Sequence, residues 1–335
     1  MRKIILKHLS KQKLKKMQHK TGLFIAAPTN NTGYGKAAWI RDNIYEALGL
    51  EHTKDYAAVI KTYRALLNIF LKHEEKIDWA IKNKPQHKYQ YIHARYDPET
   101  LNEFWDEWGN MQNDAIGAFL FKIADLMDKN IQVIRDYNDL HIIQKLVLYL
   151  QSVEYWHDKD NGMWEENEEV HASSVGACLA GLKNISKYVH VPNHLINKGQ
   201  EALNSILPRE SESKITDLAL LSLIYPYNIV NDKQKLQILE NIKQYLIREN
   251  GAIRYIGDKY YEHNGMEAEW CFVFPWLAKI YKDLGDKENF EYYIKKTHKI
   301  MNWKGDIPEL YLANGQPNEN TPLGWAQAMY LCAVC

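Results

Sequence analysis

Apolar residues recur at helical spacing along nearly the whole chain, and the segments between them alternate between long and short. Candidate helices fall near 3–18, 36–48, 54–73, 112–128, 138–156, 172–187, 193–205, 214–224, 232–247, 267–284, 287–301 and 322–334, with little strand-like alternation. Asn138-Asp139 and Asp232 read as helix starts; Gly285 and the joints around Pro208, Pro226 and Pro308 read as stops. The connections 20–35, 84–111, 157–171, 249–266 and 302–321 are long and carry Trp, Tyr, Gly, Asn and acids, whereas 188–192, 206–213, 227–231 and 285–286 are short. If such helices pair into six hairpins that close in a ring, successive loops fall on opposite faces and one face collects the long ones. The pattern therefore predicts an all-α chain forming a single (α/α)6 barrel, with an ordinary helical bundle as the competing architecture. No linker rich in Pro, Gly or Ser divides it. The expected organisation is a basic helical segment over 1–20 followed by a barrel over 21–335.

Charge narrows the functional classes. The 335 residues hold 42 Lys+Arg and 42 Asp+Glu, a net charge of +0, so nothing draws the chain generally towards nucleic acid. No apolar run approaches the ~18–20 residues of a membrane span. The N-terminus lacks the apolar stretch of a secretory signal, so a cytoplasmic location is expected. That N-terminal segment carries Arg2, Lys3, Lys7, Lys11, Lys13, Lys15, Lys16 and Lys20, with Ile5, Leu6 and Leu9 at helical spacing. Packing against its own domain is the expected role; contact with a membrane surface or a protein partner competes with it. Cys178, Cys271, Cys332 and Cys335 imply neither a zinc site nor a disulfide framework, and none of the 13 His forms H-E-x-x-H. No metal or cofactor is implied. The 10 Trp and 22 Tyr matter more, because many stand among Asn, Asp, Glu and Gly, as in the wall of a polar cleft where ring faces stack on sugars.

Five loops gather the unusual residues. Trp39, Arg41 and Asp42 stand where NNTGYGKAAWIRDNIYEAL enters a helix, and an adjacent Arg-Asp pair sets a fork of donors beside an acceptor, suited to two neighbouring hydroxyls. A salt-bridged helix start is the plainer reading of that pair. In FWDEWGNMQNDAIGAF, Trp105 and Trp108 precede Gln112, Asn113 and Asp114, which suits either a sugar-binding wall or helix capping. The most acidic loop sets Asp158, Asp160, Glu165, Glu166, Glu168 and Glu169 around Trp164, then starts a helix at Ser173-Ser174, whose hydroxyls are expected to cap it. A carboxyl packed against Trp in a partly dry pocket has its pKa raised and can serve as a general acid; a calcium loop would need alternating oxygen ligands, which are absent. The fourth loop supplies Arg254, Glu267, Glu269 and Trp270. The fifth supplies Glu309 directly after Pro308, then Trp325 and Gln327. Glu165 and Glu309 lie 144 positions apart, so only a closed fold can bring them together.

The ordered stretches WIRDNIYEALGL, IHARYD, WGNMQNDAIG, DNGMWEENEEVHASSVG, SILPRESESK, MEAEW, IPELY and GWAQAMYL resemble glycoside hydrolase family 15, the glucoamylase-like family of (α/α)6 barrels. Within it they look closest to the subgroup of phosphorylase kinase α and β regulatory subunits, over about residues 20–335. The resemblance implies that Glu165 is the general acid and Glu309 the base that activates water. It further implies that Arg41 and Asp42 grip the terminal glucose, that Arg254 and Glu166 hold the sugar, and that Trp108 walls the site. Trp39, Gln112, Asp114, Trp164 and Trp270 complete the candidate substrate-binding set. The implied activity is inverting release of glucose from the non-reducing ends of short α-glucans, the partner being an α-linked glucose oligosaccharide or polysaccharide. The alternative is a catalytically weak or inactive glucan-binding or regulatory protein. MEAEW stands where active glucoamylases carry a Gly-Asn-Pro-Trp-like run, and Glu267 and Glu269 are expected to alter the subsites beyond the first sugar. Neither a preceding β-sandwich domain, nor a starch-binding module, nor a calmodulin-binding extension is expected.

Overall fold

The computed structural model describes residues 2–29 and 31–335; Met1 and Asn30, the latter inside the predicted connection 20–35, lie outside the described residues. Helices dominate: α1 (Arg2–Met17), α2 (Ile40–His52), α3 (Tyr56–Lys72), α4 (Glu74–Lys82), α5 (Asn113–Asp128), α6 (Tyr137–Val153), α7 (Ala172–Ile185), α8 (Asn193–Ile206), α9 (Leu221–Ile224), α10 (Asp232–Tyr245), α11 (Val273–Asp283), α12 (Lys287–Ile300) and α13 (Gly324–Val334). No helix among the described residues is long and apolar enough to cross a membrane.

The packing closes a ring. α2, α5, α7, α9, α11 and α13 each touch the next, and α13 returns to α2. Outside them α1 lies on α13, α3 on α2, α8 on α7, α10 on α9 and α12 on α11; α6 packs on α3, α4 and α5. This is the expected (α/α)6 barrel, and its two rings differ in sequence for a physical reason. Inner helices are surrounded by protein, so α7 buries every residue from Ala172 to Leu182, whereas outer α8 buries only Leu195, Gly199 and Leu203 on one stripe. Small residues let inner neighbours approach closely: a Cβ added to Gly117 of α5 would enter the backbone of Ala177 and Cys178 in α7.

Because each inner helix follows an outer one, all six begin on the same face. The connections leading to them, 18–39, 83–112, 154–171, 207–217, 246–272 and 301–323, therefore gather there, while 53–55, 129–136, 186–192, 225–231 and 284–286 turn on the opposite face. The joint 206–213, read as one of the short ones, belongs to the long-loop face. Two predicted helix starts also move. The helix expected from 36 starts at Ile40, because Ala38–Trp39 (β1) pairs with Arg95–Tyr96 (β2); that expected from 267 starts at Val273, because Glu269–Trp270 (β3) pairs with Leu310–Tyr311 (β4). The stretch 214–224 is mostly loop, ending in a 3-10 turn at Leu218–Leu220 and the short α9. Helix α4, not expected, forms between 73 and 84 by burying Ile77 and Ala80. The actual caps precede the predicted starts: Asp136 accepts from Asn138 N, and Asn231 forms a capping box with Gln234.

Helix α1 buries Leu6, Leu14 and Met17, while Ile4 and Ile5 remain exposed. Its Lys11 and Lys15 pair with Asp55 at 3.1 Å and Lys13 with Asp306 at 3.4 Å. The boundary expected at residue 20 falls in the connection between α1 and α2.

Candidate active site

A cavity of about 220 Å³ opens where the inner helices begin. Its floor is aromatic: Phe272 and Trp325 stack at 5.2 Å, and Tyr45 and Trp276 pack beneath Trp325 at 4.3 and 5.6 Å. Its walls are Tyr34, Trp39, Trp108, Trp164, Tyr260 and Trp270. Its polar groups are Arg41, Asp42, Glu165, Glu166, Arg254 and Glu309. At this face the helix termini present unpaired N–H groups and the positive ends of their dipoles, which favours carboxylates there.

Glu165 sits at φ +64, a left-handed backbone that costs a side-chain-bearing residue of order 1 kcal/mol and is held by its surroundings. Gly162 (φ +63) turns the chain just before it, with its N–H donating to Asp160 at 3.1 Å. Met111 N and Asn161 Oδ1, and Asn161 N and Met111 O, tie this turn to the loop carrying Trp108. Three donors converge on the Glu165 carboxylate: Trp108 Nε1 at 2.5 Å, Gln112 Nε2 at 2.9 Å and Arg41 Nη2 at 3.2 Å. Burial raises its pKa above the ordinary range; Arg41, Gln112 and Trp108 oppose the rise. Arg41 is itself oriented from behind, by Asp114 at 3.1 Å and Gln112 Oε1 at 2.9 Å.

Glu309 is fully buried at the other end of the chain's reach. Its backbone is clamped by Cys271 N and Asn320 O. Oε2 accepts from Asn318 Nδ2 at 2.5 Å and Asn320 Nδ2 at 2.7 Å, while Oε1 has no partner of hydrogen-bond geometry among the described residues; the Tyr34 hydroxyl lies beside the carboxylate. Burial raises this pKa too, against the two amides. Asp42 is pushed up to about 7, chiefly by burial, with Arg41 opposing and Glu165 and Glu309 adding to the rise. Arg254 donates to Asp258 at 2.6 and 2.7 Å and to Glu166 at 2.6 Å, with its guanidinium 4.7 Å from the Trp270 ring centre. Glu166 also accepts from Tyr255 at 2.6 Å and Lys214 at 3.3 Å.

Ten of the expected site residues thus line one cavity: Trp39, Arg41, Asp42, Trp108, Trp164, Glu165, Glu166, Arg254, Trp270 and Glu309. Gln112 and Asp114 stand behind it, touching Arg41 and Glu165 instead of the space itself. Two expectations, on Trp105 and on the Ser173 cap, are corrected. Trp105 stands fully exposed, outside the cavity, because the adjacent Asp106 is drawn to Arg95 and turns the loop outward. Glu267 and Glu269 lie outside this cavity, where they accept from Gly257 N at 2.8 Å and Asn250 N at 2.6 Å and so hold the backbone around them. The Ser173 hydroxyl donates to Glu210 at 2.5 Å, and it is Glu210 that accepts from the Ser173 N–H at the start of α7. Tyr34, Tyr260, Phe272 and Lys214 were not singled out; an aromatic in a polar loop was the only available signal for the first two. Among the described residues no cluster of three metal-ligating side chains occurs. Two buried carboxyl groups facing one small aromatic cavity suit acid–base chemistry on a neutral, hydroxyl-rich molecule.

The sequence profile of glycosyl hydrolases family 15 matches residues 1–191. The probable phosphorylase b kinase regulatory subunit alpha of Caenorhabditis elegans is 26% identical over 90% of this chain and 31% of its own length. The chain spans about a third of the length of the curated relatives it matches. A glycosidase solved in complex with glucose superposes with TM-score 0.84 at 19% identity, covering 99% of this chain and 96% of that one. The glucoamylase of Saccharomycopsis fibuligera follows at TM-score 0.65 and 15% identity, covering 98% and 93%. At these identities the structural likeness is one of fold.

Proposed function

Because the chain belongs to glycosyl hydrolases family 15, we propose that it is a cytoplasmic, inverting, exo-acting α-glucoside hydrolase that releases glucose from the non-reducing ends of short α-glucans. The observation that carries this reading is that Glu165 and Glu309, far apart in the chain, face one cavity with complementary surroundings. Glu165, among donors and against indole, is the general acid that protonates the leaving glycosidic oxygen. Glu309, anchored through Oε2 and with Oε1 unpartnered by hydrogen-bond geometry among the described residues, is the base that takes a proton from the attacking water. Asp42 and Arg254 hold the hydroxyls of the terminal sugar, Arg41 orients Glu165, and Trp39, Trp164 and Trp270 bracket the ring. Attack from the face opposite the leaving group inverts the anomeric centre, so an α-linked substrate gives β-glucose; this geometry calls for carboxyl groups ~6.5–9.5 Å apart.

Glu165→Gln and Glu309→Gln should each lower kcat on maltose by about 10²–10⁴-fold. Unchanged glucose release in either variant refutes that residue's role, and α-glucose as the first product, read by NMR, refutes inversion. The likeness to phosphorylase b kinase regulatory subunits supports a second reading, a glucan-binding regulator that keeps the pocket without turnover. Calorimetry with maltose beside a glucose-release assay separates the two: binding without product favours the regulator.

A further inference from the structure

Behind the loop that carries Glu165, and outside the central cavity, His171, Asp160 and Glu210 form one buried cluster, none of them more than 3% exposed. His171 joins the acidic loop to the start of α7. Its Nε2 lies 3.2 Å from the carbonyl oxygen of Asn167 and its Nδ1 3.4 Å from Glu210 Oε1. Neither oxygen can donate: Asn167 presents a carbonyl, and Glu210 already accepts the Ser173 N–H at Oε2 and the Ser173 hydroxyl at Oε1. A neutral imidazole has one N–H and one lone pair, and here it would set that lone pair against an oxygen; only the imidazolium donates from both nitrogens. The carboxylates acting on the ring are Asp160 and Glu169 from its own loop and Glu210 from the connection 207–217. Burial opposes the positive charge, but Glu210 and Asp160 outweigh it and lift the imidazole to about 9.

The cation matters through Asp160. This fully buried carboxylate serves two segments, Oδ1 accepting from Gly162 N and Oδ2 from Asn113 N, both at 3.1 Å. Gly162 opens the turn that ends at Glu165, whose N–H returns to the Gly162 carbonyl at 3.3 Å. Asn113 begins α5 between Gln112 and Asp114, both of which hold Arg41, while Gln112 also holds Glu165. Burial pushes Asp160 up to about 7, and His171 is the charge that most opposes the rise. Without that charge Asp160 takes up a proton, and the oxygen that binds it becomes a poor acceptor for its N–H. The ring also packs against the turn itself: a Cβ added to Gly162 would stand 2.8 Å from His171 Cδ2.

We propose that His171 is a positioning residue, a buried cation that keeps Asp160 ionised and, through Asp160, fixes the Glu165 turn against the head of α5. The inference rests on the reading of Glu165 as the general acid, and adds a charge outside the cavity on which the placement of that acid depends. Glu166, next in the chain, is held separately by Arg254, Tyr255 and Lys214, so loss of the cation moves the acid more than the grip on the sugar.

Two measurements on the full chain test it. Nitrogen NMR of the histidine rings at pH 7, with the His171 signals assigned by their loss in His171→Gln, should find both ring nitrogens protonated. In kinetics on maltose, His171→Gln and Asp160→Asn should each lower kcat about 10–100-fold, the scale of an ångström-sized misplacement, with KM held within about 3-fold. The double variant should be no slower than Asp160→Asn alone, because the cation acts through that carboxylate. A bare ring nitrogen at pH 7, losses that multiply in the double variant, or a rise in KM that accounts for the loss of activity overturns the proposal, while wild-type turnover keeps the hydrolase reading. A wild-type chain that binds maltose and releases no glucose sinks the hydrolase reading, and the positioning role with it, even with both ring nitrogens protonated.

Discussion

Replacing Asn318 with Ala tests how Glu309 is tuned, by two routes of which only one needs turnover. The Asn318 amide donates to Glu309 Oε2 at 2.5 Å inside a fully buried site. A hydrogen bond to a charged group contributes about 1.5–3 kcal/mol, against about 1 kcal/mol for a neutral pair. Removing the amide therefore costs the anion some 0.5–2 kcal/mol more than it costs the neutral acid, which raises the Glu309 pKa by a further ~0.4–1.5 units. A carboxyl whose folded pKa lies above its unfolded value contributes stability in acid that is lost as pH rises through the folded pKa. The variant should thus lose about 0.5–2 kcal/mol more stability at pH values above the Glu309 pKa than in acid. The space left by the amide is the same at both and cancels. With an unfolding entropy near 2.1 cal/mol/K per residue, 335 residues lose about 1.4 °C of Tm per kcal/mol, so the drop in Tm should be ~1–3 °C larger above the Glu309 pKa than in acid. On the proposed reading Glu309 is the base and must be ionised, so the acid limb of the pH–rate profile should move upward by the same ~0.4–1.5 units. An equal Tm drop at both pH values, or an acid limb that stays in place, refutes the reasoning.

Other outcomes follow from the same physics. His171, buried against Glu210 at 3.4 Å, is pulled down by burial but lifted further by Glu210 and Asp160, to about 9. Its stability contribution is present below pH ~6.5 and lost towards pH 9, so His171→Gln should cost about 3 kcal/mol at pH 6 and little above pH 9 in denaturant melts. Gly117→Ala gains about 1 kcal/mol of helix propensity but drives a methyl into the α7 backbone, so calorimetric unfolding should report a net loss of ~1–2 kcal/mol. Glu46 is fully buried with both oxygens unpartnered among the described residues, and burial lifts its pKa well above the ordinary range. Glu46→Gln removes the cost of protonating it on folding and should raise Tm at pH 7 relative to pH 4; a Tm change of the same size at both removes that account.

What could be read from the chain was whatever depends on neighbours in sequence. The ring was legible because long and short connections alternate; the two carboxylates stood out as members of polar loops, but their pairing was implied only by the resemblance. Helix starts failed where a remote partner decides. Ala38–Trp39 is drawn into a two-residue strand by Arg95–Tyr96, and nothing within 36–48 carries that information. Glu210 falls in a stretch that reads as a short joint, yet it accepts from the first turn of α7, a contact that exists only once the ring closes. Trp105 and Trp108 look equivalent three positions apart; the ion pair between Asp106 and Arg95 sends one to solvent and leaves the other at Glu165. Tyr34 was hidden for the same reason, since its place beside Glu309 is made by loops almost three hundred residues apart.

The choice between hydrolase and binder turns on one proton. On the proposed reading, the groups assigned to the sugar, Asp42, Arg254 and the aromatic walls, serve both functions equally. Turnover needs in addition that Glu165 carries a proton when substrate is bound. Trp108, Gln112 and Arg41 all donate to it and favour its anion, whereas burial favours its acid and prevails in the free protein. A sugar that fills the cavity excludes water and deepens that burial, and its glycosidic oxygen adds an acceptor that only the protonated form can satisfy. Substrate binding thus pushes Glu165 further in the direction catalysis requires. A regulator would have no use for that shift, and so a basic limb of activity that moves upward between free and substrate-saturated protein is the signature of the enzyme.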